Sequence, residues 1–113
     1  MSARVYELPT EGEPVRTERD AVDVIAAVAP HRPEIIVIPT ERLADEFFQL
    51  RTGVAGAVIQ KFLTYGFRLA ILGDVSVHIA KSSALRGFAY ECNNGPHVWF
   101  VANRDELARR LSR

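Results

Sequence analysis

Cysteine is almost missing from this chain. Cys92 is the single one in 113 residues, so no internal disulfide can form, which fits a reducing compartment. Long apolar runs are also missing. Met1 to Leu8 lacks the apolar core of a secretory signal, and no run approaches the ~18 residues of a membrane span. The expectation is a soluble, cytoplasmic protein with no membrane partner. An excess of charge of either sign is absent too. Fourteen basic residues balance fourteen acidic ones, which removes the electrostatic footprint of a nucleic-acid binder.

Several chemical signatures are absent as well. His31, His78, His97 and Cys92 show no metal-ligand spacing: no two histidines stand four apart on a helix, and there is no Cys-x-x-Cys. No metal and no other cofactor is expected. Gly53 and Gly56 match neither a dinucleotide fingerprint nor a P-loop, because no Gly-Lys-Ser/Thr follows. There is no Gly-x-Ser-x-Gly elbow. Asp74, Ser76 and His78 would share one face of an extended segment at steps of about 6.5 Å, too far apart for catalytic partners in hydrogen-bond contact. No catalytic residue is assigned.

What is present is a strong alternation of strand and helix patterns over one domain, residues 1–113. Val5 to Leu8 reads as a first strand. Pro9 to Pro14 reads as a turn, and Val15-Arg16-Thr17 as a short second strand closing a hairpin. Thr17 with Asp20 resembles a capping box. Ala21, Val24, Ile25 and Val28 then make one apolar helix face, stopped by Pro30 and Pro33. Ile35-Ile36-Val37-Ile38 is a β-branched run of the kind covered on both faces.

Leu43, Phe47 and Leu50 suggest a helical turn, with Phe48 beside them and a break near Arg51. A helix from about Gly53 to Tyr65 follows, with Val54, Val58, Phe62 and Tyr65 as its stripe. Leu69 to Leu72 is the next strand, closed by Gly73-Asp74. A helix from Ser82 or Ser83 to Cys92 ends at Asn93-Asn94-Gly95. Val98 to Val101 is the last strand, with either Trp99 or Phe100 facing the core. Asn103 with Glu106 caps a final helix carrying Leu107 and Leu111 inward. The order β(β)αβαβαβα predicts an α/β fold: a single, mainly parallel sheet with helices on both faces. Ligands of such sheets favour the carboxyl ends of strands. Here those ends carry Thr40, Asp74 and Asn103, with the start of the Gly53 helix on the same edge.

That edge holds the candidate site. Thr52 stands before Gly53 at a helix start, where its oxygen can cap a free N–H. Its hydroxyl is also placed for phosphorylation. A phosphate there would add about −1.5 to −2 charge near a helix N-terminus and Arg51. Gly53 and Gly56 would admit a ligand to the backbone, or simply let the helix sit close to the sheet. Lys81-Ser82-Ser83 opens another helix, where free N–H groups and the lysine could hold a phosphate; the plainer reading is serine capping. The candidate partner or anion surface is therefore Thr40, Arg51, Thr52, Gly53, Gly56, Asp74, Lys81, Ser82 and Ser83. Cys92, near a helix C-terminus, reads as an inert thiol.

The segments Phe47 to Gly56, Gln60-Lys61-Phe62, Arg68 to Asp74, Lys81-Ser82-Ser83, Leu85 to Phe88 and Tyr90 to Asn93 resemble a bacterial family. It is number four thousand one hundred and eighty in the domain-of-unknown-function series, and it implies no known activity. The element order also resembles the sulfate-transporter and anti-sigma-factor-antagonist (STAS) domain. In that family the hydroxyl next to a glycine at the second helix start is phosphorylated by partner kinases. Thr52 stands at that place, with Leu50 and Arg51 where the family has an acidic residue and a first hydroxyl.

This resemblance implies a regulatory, protein-interaction module of anti-sigma-antagonist type, without catalysis and switched at Thr52. Its partner would be a protein docking around Thr52, Thr40 and Asp74. A second expectation is a small-ligand binder for a nucleotide or phosphorylated metabolite, from the helix N-termini gathered at one sheet edge. An unrecognised small enzyme is a third, and requires a deep pocket holding Asp74 with Ser76 or His78. An apolar edge strand or an exposed Trp99 would permit a homodimer.

Overall fold

Ile35-Ile36-Val37-Ile38 is buried along its whole length and forms the inner part of a four-stranded sheet. The computed structural model describes residues 4–112. In chain order the elements are β1 (Val5–Glu7), α1 (Glu18–Val28), β2 (Ile35–Pro39), α2 (Val54–Thr64), β3 (Arg68–Leu72), α3 (Ser76–Lys81), α4 (Ser83–Asn94), β4 (Val98–Val101) and α5 (Arg104–Leu111). The strands lie in the order β1-β2-β3-β4, and every neighbouring pair is parallel. The α/β reading holds, with helices on both faces.

Alternation along each strand divides the core into two layers. Ile36, Ile38, Leu69, Ile71, Val98 and Phe100 point to one side, where α1, α2 and α4 supply Ile25, Val28, Val58, Phe62, Leu85 and Ala89. Ile35, Val37, Ala70, Leu72, Trp99 and Val101 point to the other side and meet Leu107 and Leu111 of α5. Trp99 and Phe100 are thus both buried, on opposite faces. Burial of Trp99 removes it as the exposed ring of a dimer contact. Its indole N–H donates to the Gly95 carbonyl, and the Arg68 and Arg110 guanidinium groups lie 4.6 and 5.4 Å from its ring centre.

The expected hairpin does not form. Val15 makes an isolated parallel bridge to Leu43. Its N–H donates to the Arg42 carbonyl at 2.7 Å, and its carbonyl accepts from Ala44 at 3.1 Å. The Val15 side chain is buried there, which a hairpin against the edge strand β1 would not achieve. The preceding loop is organised by Arg42, whose guanidinium donates to the carbonyls of Pro9, Glu11 and Glu13 at 3.1 to 3.2 Å. That cation is distant in sequence, so no local pattern announces it.

The capping box at α1 is present as read. Thr17 Oγ1 accepts from Asp20 N–H at 3.1 Å, and Asp20 accepts from the N–H groups of Arg16 and Thr17 at 2.8 and 3.0 Å. Those donors, Arg16 first, hold the Asp20 carboxyl below its ordinary value of 3.8. A carboxyl with a depressed folded-state pKa stabilises the fold fully above the unfolded value, and the contribution is lost as pH falls through the folded one. The wild type is therefore expected to lose its advantage over Asp20→Asn as pH drops below about 4. Urea midpoints of both proteins between pH 7 and pH 3 check this; a constant difference would contradict it.

Candidate functional site

The consecutive strand order contains no reversal of winding, so the sheet lacks the crevice that doubly wound folds open at such a reversal. A cleft arises at the carboxyl edge by another route. After β2 the chain makes short 3₁₀ turns at Asp45–Phe48 and Leu50–Thr52 before entering α2. After β3 it makes α3 and then turns into α4. The space between these two excursions is about 500 Å³. One wall presents Asp45, Phe48, Gln49, Leu50 and Arg51; the other presents His78, Lys81, Ser82 and Ala84.

The walls are joined by aromatic contact. The His78 and Phe48 rings stack at 4.1 Å with planes 9° apart, and Phe48 meets Phe47 edge-on at 5.3 Å. Phe47 and Phe48 are core residues, so the imidazole lies on a fixed support. Neither Arg51 nor Lys81 has an ionic partner among the described residues. Ser82 is the N-cap of α4: its Oγ accepts from Leu85 N–H at 3.0 Å, which leaves the hydroxyl hydrogen to donate elsewhere.

Of the candidate surface singled out from sequence, Arg51, Lys81 and Ser82 come together in this cleft; the others are not part of its lining. Gly53, in the left-handed region at φ 76°, is the residue before α2. Thr52 stands one position earlier than the N-cap. Its hydroxyl still serves the helix, accepting from Val54 N–H at 3.2 Å, while its hydrogen is shared between the carbonyls of Glu46 and Gln49 at 2.8 and 2.7 Å. Thr52 is exposed, but its oxygen is fully used in locking the two 3₁₀ turns to α2. Thr52→Val is expected to cost about 1–2 kcal/mol and Thr52→Ser much less, which chemical denaturation of both variants checks.

Gly56 is exposed, with open space where a Cβ would stand, so it brings the helix no closer to the sheet. Ser83 is the exposed first residue of α4. Thr40 and Gly73 touch at the ends of β2 and β3.

Asp74 is exposed and accepts from Ser76 N–H at 2.9 Å. That bond starts α3 and pulls the Asp74 carboxyl below its ordinary value. Residues 76–81 are helical, which corrects the extended reading of this segment. His78 stacks on Phe48, and no hydrogen bond links it to Asp74 or Ser76 among the described residues. The cleft takes in His78 without Asp74 or Ser76. Cys92 is half-buried, and burial, with Glu91 beside it, pushes its thiol up. Among the described residues no group of three or more His, Cys, Asp or Glu side chains could hold a metal. Nor is any helix there long and apolar enough to cross a membrane.

Sequence reasoning did not single out Asp45, Phe48, Gln49 or His78 as parts of one site. The available signal was Phe48, an extra aromatic beside the Leu43, Phe47, Leu50 stripe. Its partner His78 becomes visible only once residues 76–81 are helical.

No curated protein and no solved structure matches the chain. A family model described as "Domain of unknown function (DUF4180)" matches residues 1–111. Since that match covers nearly the entire sequence, the chain belongs to the DUF4180 family of domains of unknown function.

Proposed function

We propose that this protein binds a small phosphorylated ligand in the cleft at the carboxyl edge of the sheet. The observation that carries this reading is that Arg51 and Lys81 line one cleft with no ionic partner among the described residues. An arginine fork matches two phosphate oxygens and a lysine supplies a point charge. Ser82 adds a hydroxyl donor beside the first N–H groups of α4. Asp45, on the wall with Arg51, would accept from a ligand hydroxyl rather than from the phosphate. No group here is assigned a catalytic role.

Thermal-shift titration with ribose 5-phosphate tests the proposal. Specific binding raises stability as RT ln(1 + [L]/Kd), about 2.7 kcal/mol at a hundredfold excess over Kd. Arg51→Gln combined with Lys81→Gln is expected to abolish that rise. An equal response in wild type and double variant would refute the site.

A regulatory module of anti-sigma-antagonist type, docking a protein at the same edge, is the second reading. The exposure of Thr52 next to Arg51 favours it. Modification would first have to release the Thr52 hydroxyl from the Glu46 and Gln49 carbonyls, and for that reason we place ligand binding ahead of it.

A further inference from the structure

We infer that the ligand of this cleft is a nucleoside monophosphate, with its base stacked on His78 and its phosphate held by Arg51 and Lys81. The inference rests on the phosphate-binding reading above and adds the ring. Phosphate recognition explains Arg51, Lys81 and Ser82, but it gives no reason for the aromatic pair in the same cleft. Phe48 is 4% exposed and belongs to the core, so it acts through the ring it supports. That ring is His78, parallel to it within 9° and only partly buried.

An imidazole held flat in this way presents a π-surface whose orientation is already fixed, so a planar ligand stacking on it incurs little ordering cost. Base-on-aromatic stacking needs no base-specific contact. Gln49 lines the same wall and carries both a donor and an acceptor for a base edge. Asp45 lines it too and suits a ribose hydroxyl. The dimensions agree. A cleft near 500 Å³ lies in the range of small-molecule sites, and a bare phosphate would leave most of it to water.

Isothermal titration of the full chain with AMP, UMP, ribose 5-phosphate and inorganic phosphate decides the matter. AMP and UMP are expected to bind about tenfold or more tighter than ribose 5-phosphate, from the usual strength of a base stack. His78→Ala should erase that difference. His78→Phe should preserve it, because phenyl retains the stacking face. Equal affinities for AMP and ribose 5-phosphate in the wild type would overturn the nucleotide inference and leave the phosphate site standing. Failure of all four to bind would remove the phosphate site itself and the nucleotide with it. The wild-type comparison decides by itself, so the outcome does not depend on either variant folding.

Discussion

Gly73→Ala is expected to lower stability by about 3 kcal/mol or more. Gly73 sits at φ +142°, a conformation that an L side chain adopts only under strain, and its surroundings are closed. A Cβ there would stand 2.5 Å from Thr40 Oγ1 and 2.9 Å from Thr40 Cγ2. Backbone strain of this kind costs ~1–3 kcal/mol, and forced overpacking adds ~1–3 kcal/mol.

The two contributions are separable. Thr40→Ala in the same chain removes the two closest contacts and leaves Thr40 Cβ at 3.2 Å together with the backbone part, so the double variant should recover some of the loss but not all of it. Denaturant unfolding of wild type, both single variants and the double variant measures the cycle. A Gly73→Ala protein within about 0.5 kcal/mol of wild type, the range of an ordinary surface change, would contradict the close approach of β2 and β3 at their carboxyl ends. That approach positions the two excursions that form the cleft. A destabilising Gly73→Ala change should therefore also weaken the proposed phosphate binding, even though Gly73 does not line the cleft.

The second large effect is expected far from the cleft. Leu107→Ala should cost about 3 kcal/mol, within the ~2–5 kcal/mol span of buried leucine truncations. It should lower Tm by roughly 10 °C or more in a domain of this size. The reason is the uneven cover of the sheet. One face is packed by α1, α2 and α4, while the other, with Ile35, Val37, Ala70, Leu72, Trp99 and Val101, has α5 as its helix. α5 is only eight residues long, and Leu107 is its one buried residue.

The ends of α5 are tied by polar contacts. Arg104 forms a bidentate ion pair with Glu7 of β1, and Arg110 donates to the Asn93 carbonyl at 3.0 Å. Arg104 is largely exposed, so Arg104→Ala should cost much less than Leu107→Ala. Apolar-dye binding by Leu107→Ala but not by Arg104→Ala would confirm that burial, rather than the ion pair, holds the helix down. The reverse order of stabilities would show that the ion pair dominates.

Much of this fold was legible in local pattern. The β-branched run at 35–38, the period-3.6 face of α1, the Thr17–Asp20 box and the Asn103 cap all fall where side-chain chemistry places them, because each depends on residues within a turn of one another. α3 was hidden by the same kind of evidence. Val75, Val77 and Ile79 alternate like a strand, yet Val75 and Ile79 pack on the core while Val77 is 61% exposed. Asp74 supplies the turn that starts the helix. Two apolar residues four apart fit a helix face as well as they fit an alternating strand, and the packing partner decides between them.

The cleft divides in the same way. By itself the sequence determined the strand–helix alternation, the absence of a disulfide framework and of a recognisable catalytic motif, and Arg51, Lys81 and Ser82 as anion-binding candidates near helix starts. These follow from composition and near-neighbour spacing. Only the tertiary structure decided that the two cations share one cleft, that His78 lies on Phe48, that Arg42 holds the loop from Pro9 to Glu13, and that Trp99 is buried beneath α5. Each of those is a contact between segments distant along the chain. Such contacts are set by strand order and by the packing of whole elements, which no local spacing encodes.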